Sequence, residues 1–353
     1  MNRQVGCVCN MLSKGKLQII IRVGGLAMFL LFFCSSTSWA YDFVDRSRGV
    51  KIYYTVVSEE NRTVEVARGD EWERYEGNYT IPRVVRHNGK RYRVVAIGKR
   101  AFAGCDELRN ITFSSNITRI DSAAFSHCES LTRLNLPPQL KYLGDHAFAF
   151  CAFPYVKIPA SVSHIGKGCF SYCQYVVDIL IDEKNTTYSD GGGCSCIIDK
   201  TSDRLVQGCS GTIIPDMVRR IDDEAFAGCV NLQNLEIPES VIEIGADAFR
   251  SSGISGFHFP SGVTDVSDRL FYNCQSLKEL HLPRTLLSIG SKVFYNCSAL
   301  KKIVVESYDP LPIQDDAFPE EVFSSAQLLV PVTADDTYRA LDGWKRFRNI
   351  VQQ

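Results

Sequence analysis

Residues 131–137 read LTRLNLP, with Leu134 and Leu136 alternating against Arg133 and Asn135. That is the two-residue period of a strand with one buried and one open face, and the proline ends it. Just upstream, IDSAAFSHC at 120–128 places a phenylalanine three residues before a cysteine. This segment reads as a compact turn or short helix that lays Phe125 into an interior. The pair of segments then recurs. Units begin at 97, 120, 143 and 165, and again at 221, 244, 266 and 289, with spacings of 22 or 23 residues. A gap of 56 residues separates 165 from 221, so one unit carries an insertion.

A unit this short cannot bury its apolar face alone, whereas stacked units share a continuous core. The pattern therefore predicts a repeat solenoid. It has a parallel sheet on its concave face and short helices or turns on the other. Inside the insertion, SCIID and RLVQGC flank the polar KTSD, which predicts a hairpin; TIIP then rejoins the register.

Written as I-G-x-x-A-F-x-x-C-x-x-L-x-x-I-x-I-P, the unit resembles the BspA-like branch of bacterial leucine-rich repeats. Eight copies cover about residues 97–305. The resemblance extends to the flanks. Residues 41–96 (IYYTVV, TVEVAR, GKRYRVVAIG) are similar to a β-rich N-terminal cap, and LLVPVTADDTYRALDGWKRFRNIV within 306–353 is similar to an α/β closing cap. It implies a non-enzymatic protein of the cell surface or extracellular space that binds a protein or glycan, as family members are thought to do in adhesion. An envelope scaffold without a host-facing role is the alternative.

The first 40 residues change the picture of location. Lys14, Lys16 and Arg22 precede the apolar run GLAMFLLFFC at 25–34, and SSTSWA follows with small residues at Ser38 and Ala40. This is a secretory leader with cleavage expected after Ala40, and translation starts at Met1 or Met11. The run is too short to span a bilayer. Bulky Phe33 argues against a lipoprotein anchored through Cys34. The body is expected to be exported, to the extracellular space, the cell surface or the periplasm, as a monomer without membrane insertion.

Composition and charge narrow the partners. Hydrophobic residues make up 45% of the 353 and charged residues 22%, which suits a globular core. The formal net charge is −1, and residues 1–40 contribute four basic residues (Arg3, Lys14, Lys16, Arg22) and no acidic one, so the remainder stands at −5. An acidic body argues against nucleic acid as a partner.

The fourteen cysteines are the most prominent chemistry. Cys105, Cys128, Cys151, Cys173, Cys229, Cys274 and Cys297 occupy one repeat position, with Ser252 as the eighth. Equivalent positions on stacked turns lie about 4.8 Å apart with parallel side-chain vectors, which suits packed thiols better than disulfides. Cys194, Cys196 and Cys209 lie in the insertion. They admit a bridge from Cys209 to Cys196 or Cys194, packed thiols, or a metal or enzyme site, for which C-x-C plus one cysteine is a poor pattern. No cofactor, resident metal or catalytic group is expected. His258 and His281 fall at one strand position in consecutive units and should stack on the open face.

Candidate contacts are read from the outward strand positions. One column runs through Asn110, Arg133, Tyr155, Asp178, Asn234, Gly256, Glu279 and Lys302. The other runs through Thr112, Asn135, Lys157, Leu180, Glu236, His258, His281 and Val304. The polar and aromatic members, Arg133, Asn135, Tyr155, Lys157, Asp178, Asn234, Glu236, His258, Glu279, His281 and Lys302, form the predicted binding face.

Overall fold

The computed structural model describes residues 7–12, 16–23, 26–32, 41–47, 49–69 and 74–353. Within residues 1–40 it shows three backbone strands, Cys7–Leu12, Lys16–Val23 and Leu26–Phe32, paired antiparallel in that order. Cys34 and the cleavage position after Ala40 lie outside the described residues. No helix among the described residues is long and apolar enough to cross a membrane.

From residue 77 onward the chain winds as a solenoid whose successive turns pair through parallel strands. A broad sheet-like face collects the strands read from the sequence, in three separate hydrogen-bonded ladders. Gly77–Thr80 pairs with Leu108–Thr112, and Tyr155–Ile158 with Asp178–Ile181. The strands Gly256–His258, Glu279–Leu282, Lys302–Val305, Gln327–Val330 and Asn349–Gln352 follow in one ladder. A narrow sheet of two-residue strands, including Arg119–Ile120, Tyr142–Leu143 and His164–Ile165, closes each turn on another side. Each of those strands buries its second residue, so Ile120, Leu143 and Ile165 line the core.

The A-F-x-x-C segments are turns, with no helix assigned to them. The cause lies in two left-handed residues per turn. One precedes the phenylalanine by two, as at Ala123, His146 and Asp247, and the other immediately precedes the cysteine position, as at His127, Tyr172, Gly228 and Asn273. A right-handed helix cannot pass through such residues. Gly228 also has a steric reason, because a Cβ there would lie 2.4 Å from Tyr172 Cα.

Between turns, the repeat phenylalanine N–H donates to the carbonyl of the residue before the next phenylalanine, except at Phe170. Phe102 bonds Ala124, Phe125 bonds Ala147, Phe148 bonds Cys169, and Phe226 bonds Ala248, at 2.7 to 2.9 Å. The rings stack accordingly. Phe102, Phe125, Phe148 and Phe170 follow at 4.8, 5.1 and 5.8 Å between centroids, nearly parallel. A second stack runs from Phe226 through Phe249, Phe271 and Phe294 to Phe318.

The stacks are interrupted where the long unit enters. Ile197–Asp199 and Arg204–Gln207 form an antiparallel hairpin there. Gly208 lies against Phe226, so close that an added Cβ would sit 2.1 Å from the ring. The buried core correspondingly divides into two clusters, one running from Phe43 to Cys209 and one from Cys196 to Ile350.

Two expected strands, at 131–137 and 232–238, are not assigned, although Leu131, Leu134 and Leu232 are buried as the pattern requires. At the first, Pro154 occupies the position whose N–H would donate to the Thr132 carbonyl; the next turn makes that rung, Val177 N–H to the Pro154 carbonyl, at 2.9 Å. The second lies beside the end of the insertion, and Ser255 N–H still reaches the Gln233 carbonyl at 3.1 Å.

Both flanks stay in register with the repeats. Tyr75 lies against Phe102 at 4.3 Å, and Asn78 and Thr80 pair with Asn110 and Thr112. At the other end, IQDDAF at 313–318 repeats the unit's start. Ile313 bridges Ile289, the Phe294 N–H bonds the Ala317 carbonyl, and Trp344, Phe347 and Tyr338 bury the last turn. Glu320–Ser325 forms a short helix where the cysteine would stand.

Candidate functional site

The cysteine column lies inside the solenoid. Cys128, Cys151, Cys173, Cys274 and Cys297 each donate a thiol hydrogen bond to the carbonyl of the phenylalanine one turn back, at 2.9 to 3.2 Å. Cys229 points at the Gly208 carbonyl at 3.9 Å. Burial pushes up the thiols of Cys105 and Cys274, to about 11, and that of Cys173, to about 12. These are poor nucleophiles.

In the insertion, Cys196 and Cys209 are buried, Cys194 is half-buried, and all three stand as free thiols. Cys209 Sγ donates to the Ser195 carbonyl at 3.2 Å, and Cys194 Sγ to that of Gly191 at 3.2 Å. Among the described residues no group of three or more His, Cys, Asp or Glu is placed to hold a metal ion.

The open face of the broad sheet holds the predicted columns, and strand register places several of their members side by side. Tyr155 pairs with Asp178, and Lys157 with Leu180. Gly256 pairs with Glu279 and then Lys302, while His258 pairs with His281 and then Val304. Val304 departs from its predicted position. It is 8% exposed, because in-register His281 and Leu329 cover it from both sides.

Near the C-terminal end, Asn234, Glu236, Gly256, His258 and Glu279 line a shallow groove of about 450 Å³. The His258 and His281 rings stack at 3.8 Å. His281 Nε2 and Lys302 Nζ each lie 2.7 Å from Glu279 Oε1. The Lys302 hydrogen bond, then that of His281, holds Glu279 below the usual carboxylate range. Burial and the neighbouring His281 push His258 down, favouring its neutral ring. Glu279 is therefore occupied by its own neighbours, while Asn234, Glu236 and His258 face solvent.

The middle of the sheet is different in kind. Asp178 is engaged by Ser195 Oγ at 2.7 Å, which ties the insertion to the sheet. Around it stand large apolar side chains open to solvent: Tyr155 at 56%, Tyr175 and Val177 at 54%, and Ile213 at 71%, with Leu180 and Val230 also exposed. Buried Val176 and Ile179 fix the outward direction of their neighbours, as Thr212 and Ile214 do for Ile213. Tyr175 separates two recesses, one of about 310 Å³ with Tyr172 and Val230 and one of about 630 Å³ with Arg109, Glu129 and Thr132. Arg133 and Asn135 are exposed on the unassigned segment beside this area.

Tyr175, Val177, Ile213 and Val230 were outside the predicted columns. Tyr175 and Val177 precede the strand that alternation picks out. Ile213 could have been found by aligning TIIP with LEIP of the next unit, which sets it level with Glu236.

Parallel ladders, stacked phenylalanines and an apolar segment buried at the same place in each turn define a leucine-rich-repeat solenoid. The chain belongs to the BspA type leucine rich repeat region family, whose model matches residues 95–201 and 207–323 in 6 copies. Among solved structures it is similar to a leucine-rich repeat protein from Bacteroides ovatus (24% identity, 88% of both chains, TM-score 0.51). It is also similar to the pneumococcal vaccine antigen PcpA (16% identity, 89% of this chain and 99% of that one, TM-score 0.59). A leucine-rich repeat protein from Eubacterium ventriosum matches at 18% identity over 79% and 82% of the two chains, with a TM-score of 0.55. These likenesses carry the fold. No curated protein matches the sequence.

Proposed function

We propose that this protein is an exported, non-enzymatic binding module that acts as a monomer and holds a protein partner on the open face of its broad sheet, in the manner of an adhesin. The observation that carries this reading is the apolar patch of Tyr155, Tyr175, Val177, Leu180, Ile213 and Val230. Monomeric soluble proteins seldom leave several large apolar side chains open side by side unless something covers them. Exposed tyrosines anchor interfaces well, because each presents a large contact area with few rotatable bonds. The surrounding polar groups Arg133, Asn135, Lys157, Asn234 and Glu236 would form the rim. A rigid solenoid pays little ordering cost when it binds.

The test uses residues 41–353 on an array of extracellular-matrix proteins and neutral glycans, beside the triple variant Tyr155→Ser, Val177→Ser, Ile213→Ser. All three side chains are more than half exposed, so the variant is expected to keep the fold, which thermal melting checks. The expected result is a protein ligand whose binding falls more than tenfold in the variant. Equal binding by both proteins, binding to neutral glycans alone, or no binding at all would overturn the reading. Export is checked separately, by N-terminal sequencing of secreted protein, which should begin at Tyr41.

A further inference from the structure

The N-terminal cap carries a second surface of opposite character. Val84–His87 and Lys90–Ile97 form a tight antiparallel ribbon, in which Val84 pairs with Arg93, Val85 with Tyr92 and Arg86 with Arg91. Val85 and Tyr92 are buried on one face of the ribbon. Alternation then sends Arg86, Arg91 and Arg93 to the other face, where they line a shallow groove of about 850 Å³ with Arg83, Val84 and Asn116.

Two points make this more than a solvated edge. Directly opposed like charges on an antiparallel pair are destabilising, and Arg86 and Arg91 are such a pair. Among the described residues no carboxylate pairs with any of the four arginines; the contact made by these guanidinium groups is Arg83 Nη2 to Asn116 Oδ1 at 3.4 Å. Elsewhere several arginines of the chain are neutralised by carboxylates. Arg119 meets Glu65 and Asp121, Arg204 meets Asp199 and Asp222, and Arg269 meets Asp247. In a body of net charge −5, four unneutralised guanidinium groups are concentrated in one groove.

We propose that this groove binds a sulfated polysaccharide, with the arginine forks on successive sulfate groups and the Asn116 amide on a sugar hydroxyl. Guanidinium presents a planar pair of donors that matches an oxyanion with two hydrogen bonds. Nucleic acid is disfavoured, because single strands are held by aromatic rings on which bases stack, and the groove lining contains none. The site is separate from the apolar patch and does not depend on it.

The experiment measures binding of residues 41–353 to heparin by titration calorimetry at about 50 and about 200 mM salt. Oligo-dT, neutral dextran and inorganic phosphate serve as comparison ligands. Wild type should bind heparin, and four neutralised charges should weaken it on the order of a hundredfold between the two salt concentrations. The variant Arg86→Glu, Arg91→Glu should lose binding more than tenfold. The control Arg284→Glu, Arg348→Glu, with the same change in net charge away from the groove, should bind as wild type does. Undiminished binding by the groove variant, equal loss in the control, tighter binding of oligo-dT, saturation by free phosphate at the same affinity, or no heparin binding would each overturn the proposal. Thermal melting of both variants verifies that they are folded.

Discussion

The Gln207 side chain accepts the Phe170 N–H at 3.4 Å and donates to the Ala225 carbonyl at 2.8 Å, spanning a gap that other turns close with a direct backbone rung. It is 1% exposed. Gln207→Met keeps the volume and removes both bonds, leaving a buried donor and a weakened acceptor. The expected cost is about 2–4 kcal/mol, read as a shift in the urea midpoint. An unchanged midpoint would show that the amide bridge does not hold the two halves together.

Gly208 makes a parallel prediction. Its Cα faces the Phe226 ring with no room for a methyl group. Gly208→Ala should cost about 1–3 kcal/mol through overpacking, whereas Gly192→Ala, in the open, should show only the strain of its left-handed backbone. Equal melting temperatures for Gly208→Ala and wild type would refute the close contact.

The buried thiols should be silent. In native protein at pH 8, Ellman's reagent is expected to reach half-buried Cys194 first and the buried Cys128, Cys151 and Cys173 column only after unfolding, because burial keeps the reagent out and, at Cys151 and Cys173, disfavours the thiolate. Cys128→Ala removes the bond to the Phe102 carbonyl and should cost about 1 kcal/mol. Cys128→Ser, imitating Ser252, should cost less. Rapid labelling of the native column, or a mass showing paired cysteines there, would contradict the packing described.

His146 reaches across an intervening turn to Glu224 at 2.7 Å, a path left clear by Gly168; Lys167 lies 3.3 Å from the same carboxylate. The hydrogen bond to Glu224 raises His146, while the bonds from His146 and Lys167 outweigh burial and lower Glu224. A raised histidine contributes stability below its unfolded value near 6.5 and loses it as pH climbs through the folded value. A lowered glutamate contributes above its unfolded value near 4.5 and loses it as pH falls through the folded value. The pair therefore helps most between those limits. Partial exposure of His146 limits the effect to less than about 1 kcal/mol. His146→Gln should lower the melting temperature more at pH 5.5 than at pH 8.5, and an equal or reversed difference would refute the coupling.

Much of the architecture was legible because the core is periodic. Phe125, Cys128, Leu131 and Leu134 recur with their neighbours' roles, and a column repeated eight times is hard to misread. What escaped was set by contacts between turns. Pro154 cancels a rung of the turn before it, which no property of LTRLNLP reveals. The paired left-handed residues around Phe148 carry such different side chains as His146 and Phe150 that composition hides them. The surface patch was harder still, because the segment carrying Ile213 comes beside Val177 only once the insertion has folded back against Asp178.

The backbone rung from the phenylalanine N–H to the carbonyl one turn on, shared by every repeat turn but that of Phe170, has a consequence for the history of such chains. A turn duplicated or deleted between two rungs leaves identical donors and acceptors at the splice, so the array can lengthen or shorten without mending its bonds. Outward residues such as Lys157 or Glu236 travel with their turn, and a new copy brings a fresh strip of surface for selection to work on. The long unit is exempt from that freedom, since removing it would carry away the amide that joins Phe170 to Ala225.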